Sequence, residues 1–198
     1  MRRRDFIALL VGATAWPLAA RAEQAGKLRT IGILGPTTPS SQAQDIAAFV
    51  QRLRELGWIE GRNVAIEVRW AQGRPERYAE IATEFVRLKV DAILTQSTPP
   101  TLAAKQATSV VPIVFATLAD PVATGIVDSL ARPGGNATGL SLQSLDLAGK
   151  RLSLLREVAP GLRRVAFMGN IDLPFVLLEM REFQAPDDPL RNSLPQGL

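Results

Sequence analysis

The spacing of apolar residues changes period along this chain, and each change marks an element. Thr30-Ile31-Gly32-Ile33-Leu34 is a short, nearly continuous apolar run, as expected of a strand buried on both faces. Gly35-Pro36-Thr37-Thr38-Pro39-Ser40 breaks the run, and Ser40 or Ser41 can cap the next element. From Gln42 to Leu56 the apolar positions are Ile46, Phe49, Val50, Leu53 and Leu56, steps of three and four that make one helix face. Gly57 ends that helix as a C′ glycine. Val64, Ile66 and Val68 alternate with Ala65, Glu67 and Arg69, a period of two that predicts a strand. Tyr78, Ile81, Ala82, Phe85 and Val86 predict a second helix starting near Pro75.

The alternation continues with a strand at Asp91–Thr95, a helix from Pro99 to Ser109, a strand at Pro112–Ala116 and a helix from Asp120 to Ala131. Arg132-Pro133-Gly134-Gly135 breaks the chain, and Ala137–Leu140 reads as a short strand. Strands and helices alternating at this spacing predict an α/β fold with a doubly wound parallel sheet.

Composition adds a compartment. Arg2-Arg3-Arg4 precedes a weakly apolar stretch to Leu18 and the small-residue site Ala20-Arg21-Ala22, the layout of an export signal cleaved after Ala22. The Arg3-Arg4-x-Phe6-Ile7 order resembles a twin-arginine signal, so the Tat export machinery is the expected partner of the precursor and the periplasm the expected destination. The apolar run is too short to span a bilayer and contains Pro17.

Removing residues 1–22 also changes the charge. The whole chain has 23 Lys+Arg against 19 Asp+Glu, but the segment holds four arginines and one aspartate, leaving a net +1. Without a basic stripe interleaved with aromatics, nucleic acid is excluded as a partner. Cysteine and histidine are both absent, which removes thiol catalysis, histidine general bases and the ordinary zinc sets. No cofactor and no metal are expected.

In a doubly wound sheet, ligands sit beyond the carboxyl ends of the strands. The loops there are Gly35–Ser41, Gln96–Pro100 and Thr117–Pro121, each with small hydroxyl residues or an acid before a helix. Free N–H groups at a helix start suit a carboxylate, although each loop taken alone also fits an ordinary cap or turn.

Several stretches carry a resemblance: Glu55-Leu56-Gly57-Trp58-Ile59-Glu60-Gly61-Arg62-Asn63-Val64, Glu67-Val68-Arg69-Trp70-Ala71, Arg87-Leu88-Lys89-Val90-Asp91-Ala92-Ile93, Pro112-Ile113-Val114-Phe115 and Asp120-Pro121-Val122. The most specific is Ser129-Leu130-Ala131-Arg132-Pro133-Gly134-Gly135-Asn136-Ala137-Thr138-Gly139. Together they resemble the substrate-binding proteins of ABC importers in the tryptophan/aromatic amino-acid-binding-like group. The resemblance implies a type I periplasmic binding protein, in which two α/β lobes close over a small solute, here of amino-acid type, and dock on an inner-membrane permease. Loop geometry and family position together give the candidate ligand-binding residues Pro36, Thr37, Thr38, Ser97, Thr98, Thr117, Asp120 and Asn136. Ser97 and Thr98 are expected to hold a carboxylate. Asp120 fits an ammonium acceptor and a cap before Pro121 equally well, and Asn136 suits a backbone-shaping role. Trp58 and Trp70 could stack on an aromatic ligand, but their positions favour packing.

The resemblance implies a first lobe at 27–141 and the start of a second at 142–170, with a helix Leu145–Ala159 and a strand Arg164–Met168. Beyond Asn170 the pattern departs from the family. Pro174, Pro186, Pro189 and Pro195 interrupt regular structure, so 171–198 is expected as a divergent, disordered tail with one or two helical turns at Phe175–Met180. A C-terminally truncated member with an incomplete second lobe and impaired binding is the resulting expectation. The alternatives are the ligand-sensing domain of a regulator and a non-functional gene fragment. An enzyme is not expected: the chain lacks the G-x-G-x-x-G and G-x-S-x-G motifs and a Walker phosphate loop.

Overall fold

The computed structural model describes residues 28–171 and 173–183. The export signal at 1–22 and the tail from Gln184 onward lie outside the described residues.

Among the described residues five strands form one parallel sheet: β1 (Arg29–Gly35), β2 (Val64–Trp70), β3 (Ala92–Thr95), β4 (Ile113–Leu118) and β5 (Ala137–Ser141), in the order β2-β1-β3-β4-β5. Arg29 faces Val64, Ile31 faces Ala92, Ile93 faces Ile113, and Ile113 faces Ala137. Between them run α1 (Pro39–Glu55), α2 (Glu76–Arg87) and α3 (Thr98–Ala107), with α4 (Ala148–Val158) and α5 (Pro174–Phe183) following the sheet. Parallel neighbours need a crossover rather than a hairpin, and right-handed crossovers put α1 on one face and α2 and α3 on the other.

The core lies under α2 and α3. Ile81, Ala82 and Phe85 from α2 and Ala104 from α3 join Leu34, Ile93, Ile113, Phe115 and Leu118 of the strands in one buried cluster. Phe85 packs directly on the backbone of Gly32, where an added Cβ would lie 2.8 Å from the ring carbon Cγ. The glycine inside the first apolar run therefore makes room for a helix side chain. A buried hydroxyl pair ties β3 to α3: Thr95 and Thr101 share a 2.7 Å hydrogen bond, and Thr101 Oγ1 also donates to Ser97 O at 2.7 Å. The α1 face is thinner. None of the α1 residues is fully buried, and Val114 and Leu140 stay exposed.

The expected helix at Asp120–Ala131 does not form. Asp120 Oδ1 accepts from Val122 N and Ala123 N at 3.1 and 2.9 Å, starting a single turn. Gly125 then enters the left-handed region at φ 68°, which ends helical propagation. Lys105 Nζ donates to the carbonyls of Gly125 and Ile126 at 2.9 and 2.6 Å, satisfying groups that a longer helix would have bonded internally. Ile126 and Val127 are buried from this irregular path.

The expected strand at Arg164–Met168 is also absent, because no neighbouring strand is available among the described residues and an unpaired strand is unstable. Met168 is 97% exposed. The helix expected from Leu145 starts three residues later, at Ala148. Of its apolar stripe, Ala148 and Leu152 are buried while Leu155 and Val158 are exposed. The turns expected at Phe175–Met180 belong to the ten-residue α5, which packs on α4 with Val176 buried and Arg151 Nη1 2.9 Å from Glu179 Oε1.

Replacing Phe85 with alanine is expected to cost about 3–5 kcal/mol in urea unfolding, and Gly32→Ala about 1–3 kcal/mol through overpacking against the same ring. A neutral Gly32→Ala would show that the contact yields without strain.

Candidate functional site

All five strands point the same way, so their carboxyl ends share one edge. The first crossover runs from β1 to β2 on one side, and the later ones step through β3 to β5 on the other. The winding direction therefore switches between β1 and β3, and the loops after those two strands flank the switch point, the place where open α/β sheets form their ligand crevice.

Pro36, Thr37 and Thr38 form the first flank. Their hydroxyls are engaged locally: Thr37 Oγ1 and Ser41 Oγ lie 2.7 Å apart, Thr38 Oγ1 and Ser40 Oγ 3.1 Å apart, and Thr38 N donates to Ser41 Oγ at 3.3 Å. The loop after β2 braces this flank, with Gln72 N donating to Thr37 O and Gly73 N to Pro36 O, both at 2.9 Å.

Ser97 and Thr98 form the second flank at the start of α3. Ser97 N donates to Thr117 O at 3.1 Å, which ties the flank to β4. The Ser97 backbone sits at φ 70° and ψ 165° and its hydroxyl makes no capping bond. That conformation belongs to glycine and is strained for a residue with a Cβ. Thr98 is 5% exposed. Pro99 and Pro100 occupy the next two helical positions and have no N–H to offer. Of the first-turn donors, only the Thr98 N–H is left to face an anion, because Ser97 N is already bonded. The helix start therefore supplies a narrower anion site than a hydroxyl-led loop suggests.

Thr117 lies in β4 near the same edge, and Asp120 follows at the β4 exit with Oδ1 committed to its turn. The cap role of Asp120 is the one the geometry displays. Asn136 is not at this edge. It precedes β5 at the amino-terminal side of the sheet, where Nδ2 donates to Thr108 O at 3.0 Å and Val111 O at 2.8 Å. It shapes backbone and is remote from the crevice, a correction to its place among the ligand-binding candidates. Trp58 lies beyond the carboxyl end of α1, also away from the crevice, and is 42% exposed.

Three residues absent from the candidate set stand at the crevice. Gln42, in the first turn of α1, donates through Nε2 to Gln96 Oε1 at the end of β3, so the pair spans the switch point. Gln42 Oε1 is buried without a hydrogen-bond partner among the described residues. The Trp70 ring packs on Gly35, where an added Cβ would collide with it and lie 3.1 Å from Gln42 Oε1. No sequence periodicity could have linked Gln42 to Gln96; their meeting requires the β1–β3 pairing. Neither flank carries a charged side chain, from Gly35 to Gln42 or from Gln96 to Thr101. Among the described residues no cluster of acidic side chains could hold a metal ion, and no helix is long and apolar enough to cross a membrane.

Comparison with known proteins bears on this arrangement. The family described as ABC transporter substrate binding protein matches residues 30–185. A curated tyrosine-binding protein from Clostridioides difficile is 34% identical over 145 residues, covering 73% of this chain and 41% of that protein. A crystal structure of a conserved domain protein from Vibrio cholerae aligns with a TM-score of 0.71 at 26% identity, covering 80% of this chain and 53% of the other. An ABC domain from Streptococcus pneumoniae, solved with L-Trp, aligns at 0.69 with 22% identity over 80% and 52% of the two chains, a likeness of fold. The chain spans about half the length of these solved structures.

Replacing Ser97 with glycine is expected to raise stability by about 1 kcal/mol, because the strained backbone is then free of a Cβ. Thermal unfolding of the variant checks this, and a lowered midpoint would show that the serine side chain contributes more than its backbone costs.

Proposed function

Because this chain belongs to the ABC transporter substrate-binding protein family, we propose that it captures a small solute of amino-acid type for an inner-membrane permease. The observation that carries the reading is the switch of winding direction between β1 and β3, flanked by Thr37–Ser41 and by the strained start of α3. The Thr98 N–H and the Ser97 hydroxyl are the groups that receive the solute's carboxylate. Thr37 and Thr38 line the facing flank. The similarity to a tyrosine-binding protein favours an aromatic amino acid.

The same reading places the mature chain in the periplasm after twin-arginine export.

Calorimetric titration of the chain with aromatic L-amino acids is expected to show saturable binding with a Kd below about 1 mM, a binding free energy of more than about 4 kcal/mol. Ser97→Ala should weaken it by about three- to tenfold, the scale of one lost hydrogen bond. Absence of binding to every amino acid would overturn the proposal. For localisation, changing Arg3 and Arg4 together to lysine is expected to retain the precursor in the cytoplasm. Processing and release of that variant at the normal level would refute the twin-arginine route.

A further inference from the structure

Two local costs coincide at the switch point. The Ser97 backbone occupies a conformation suited to glycine, and one residue before it Gln96 is held by Gln42, whose own Oε1 is buried and unpartnered among the described residues. Folds keep strain and unsatisfied polar groups mainly where a ligand is handled. The Trp70 ring and Gln42 Oε1 meet at Gly35, and the flanking loops carry no charge. Beyond the carboxylate that the Thr98 N–H receives, a second ionised group would meet no counter-charge on these flanks, whereas an uncharged hydrogen-bonding atom beside an aromatic ring is suited to the pair.

We propose that Gln42 and Gln96 form an amide pair that determines specificity. The pair's role rests on the amino-acid reading of the crevice and adds the end of the solute that the crevice discriminates. Gln42 is the positioning residue: by donating to Gln96 Oε1 it fixes the orientation of that amide. Among the described residues the Gln96 amide nitrogen meets no acceptor, so its two N–H groups are available to the solute. They donate to an uncharged oxygen on the solute's side chain, while Ser97 and Thr98 take its carboxylate. The class selected is an amino acid with a neutral oxygen on its side chain, a phenol in preference to the bare ring.

L-tyrosine and L-phenylalanine differ by that one oxygen and are the probes. Titration of the full chain is expected to show tyrosine preferred by about tenfold or more. Gln96→Met and Gln42→Met should each weaken tyrosine binding more than phenylalanine binding, bringing the two affinities to within about twofold. The double variant should match either single one, because Gln42 acts through Gln96. Thermal unfolding accompanies the titrations. Gln42→Met removes an unpartnered buried oxygen and should not lower the midpoint, whereas a purely structural pair would lower it and leave the ratio unchanged. A wild-type chain that binds both amino acids equally, or a variant that keeps the preference, overturns the pair's role alone. A wild-type chain that binds neither overturns the amino-acid reading, and the pair's role with it.

Discussion

The pairing of β1 with β2 on one side and β3 on the other governs the rest of the molecule. Both pairings are parallel, so neither connection can be a tight turn and each must cross a face of the sheet. The crossover that leaves β1 carries α1 over one face, and those that return through β3 and β4 carry α2 and α3 over the other. Parallel pairing collects every strand exit on one edge, and the reversal of winding puts the switch point beside β1. Gln42 and Gln96 lie 54 positions apart in sequence and meet only because of it.

The two faces are unequally furnished. Under α2 and α3 the packing is tight enough that Phe85 requires a glycine beneath it, and a threonine pair replaces apolar contact where β3 hands over to α3. The α1 side has no fully buried helix residue. Beyond β5, α4 and α5 bury Leu152 and Val176 but leave Val158 85% exposed. Stability in this chain is therefore concentrated on one side of the sheet, which also anchors the start of α3 and with it the second flank of the crevice.

The strands and the first three helices were legible because their periods are strong. The run at Thr30–Leu34 and the alternation at Val64–Val68 hold in the structure with slightly longer bounds. Two elements misled for separable reasons. The stretch after Asp120 has helical composition, but Gly125 adopts a left-handed backbone and Lys105, 20 residues earlier, takes the freed carbonyls. That contact is long-range and invisible to a periodicity. Arg164–Met168 has strand composition, but among the described residues no strand lies beside it to pair with. At the crevice, hydroxyl-rich loops announced Thr37, Thr38, Ser97 and Thr98, and the sheet brings them to one edge. Asn136 was misplaced because a Gly-Gly-Asn turn reads the same at either edge of a sheet. Gln42 was missed because a helix glutamine has no local feature that separates site from surface, and Trp70, weighed for stacking with packing preferred, lies with its ring against Gly35.

The uncharged flanks of the crevice have a kinetic consequence. Charged rims gather oppositely charged solutes from a distance and lose that advantage as salt screens the field. Between Gly35 and Gln42, and again between Gln96 and Thr101, this chain has no such charge. These two flanks add no steering field of their own, and dissolved salt finds nothing there to screen.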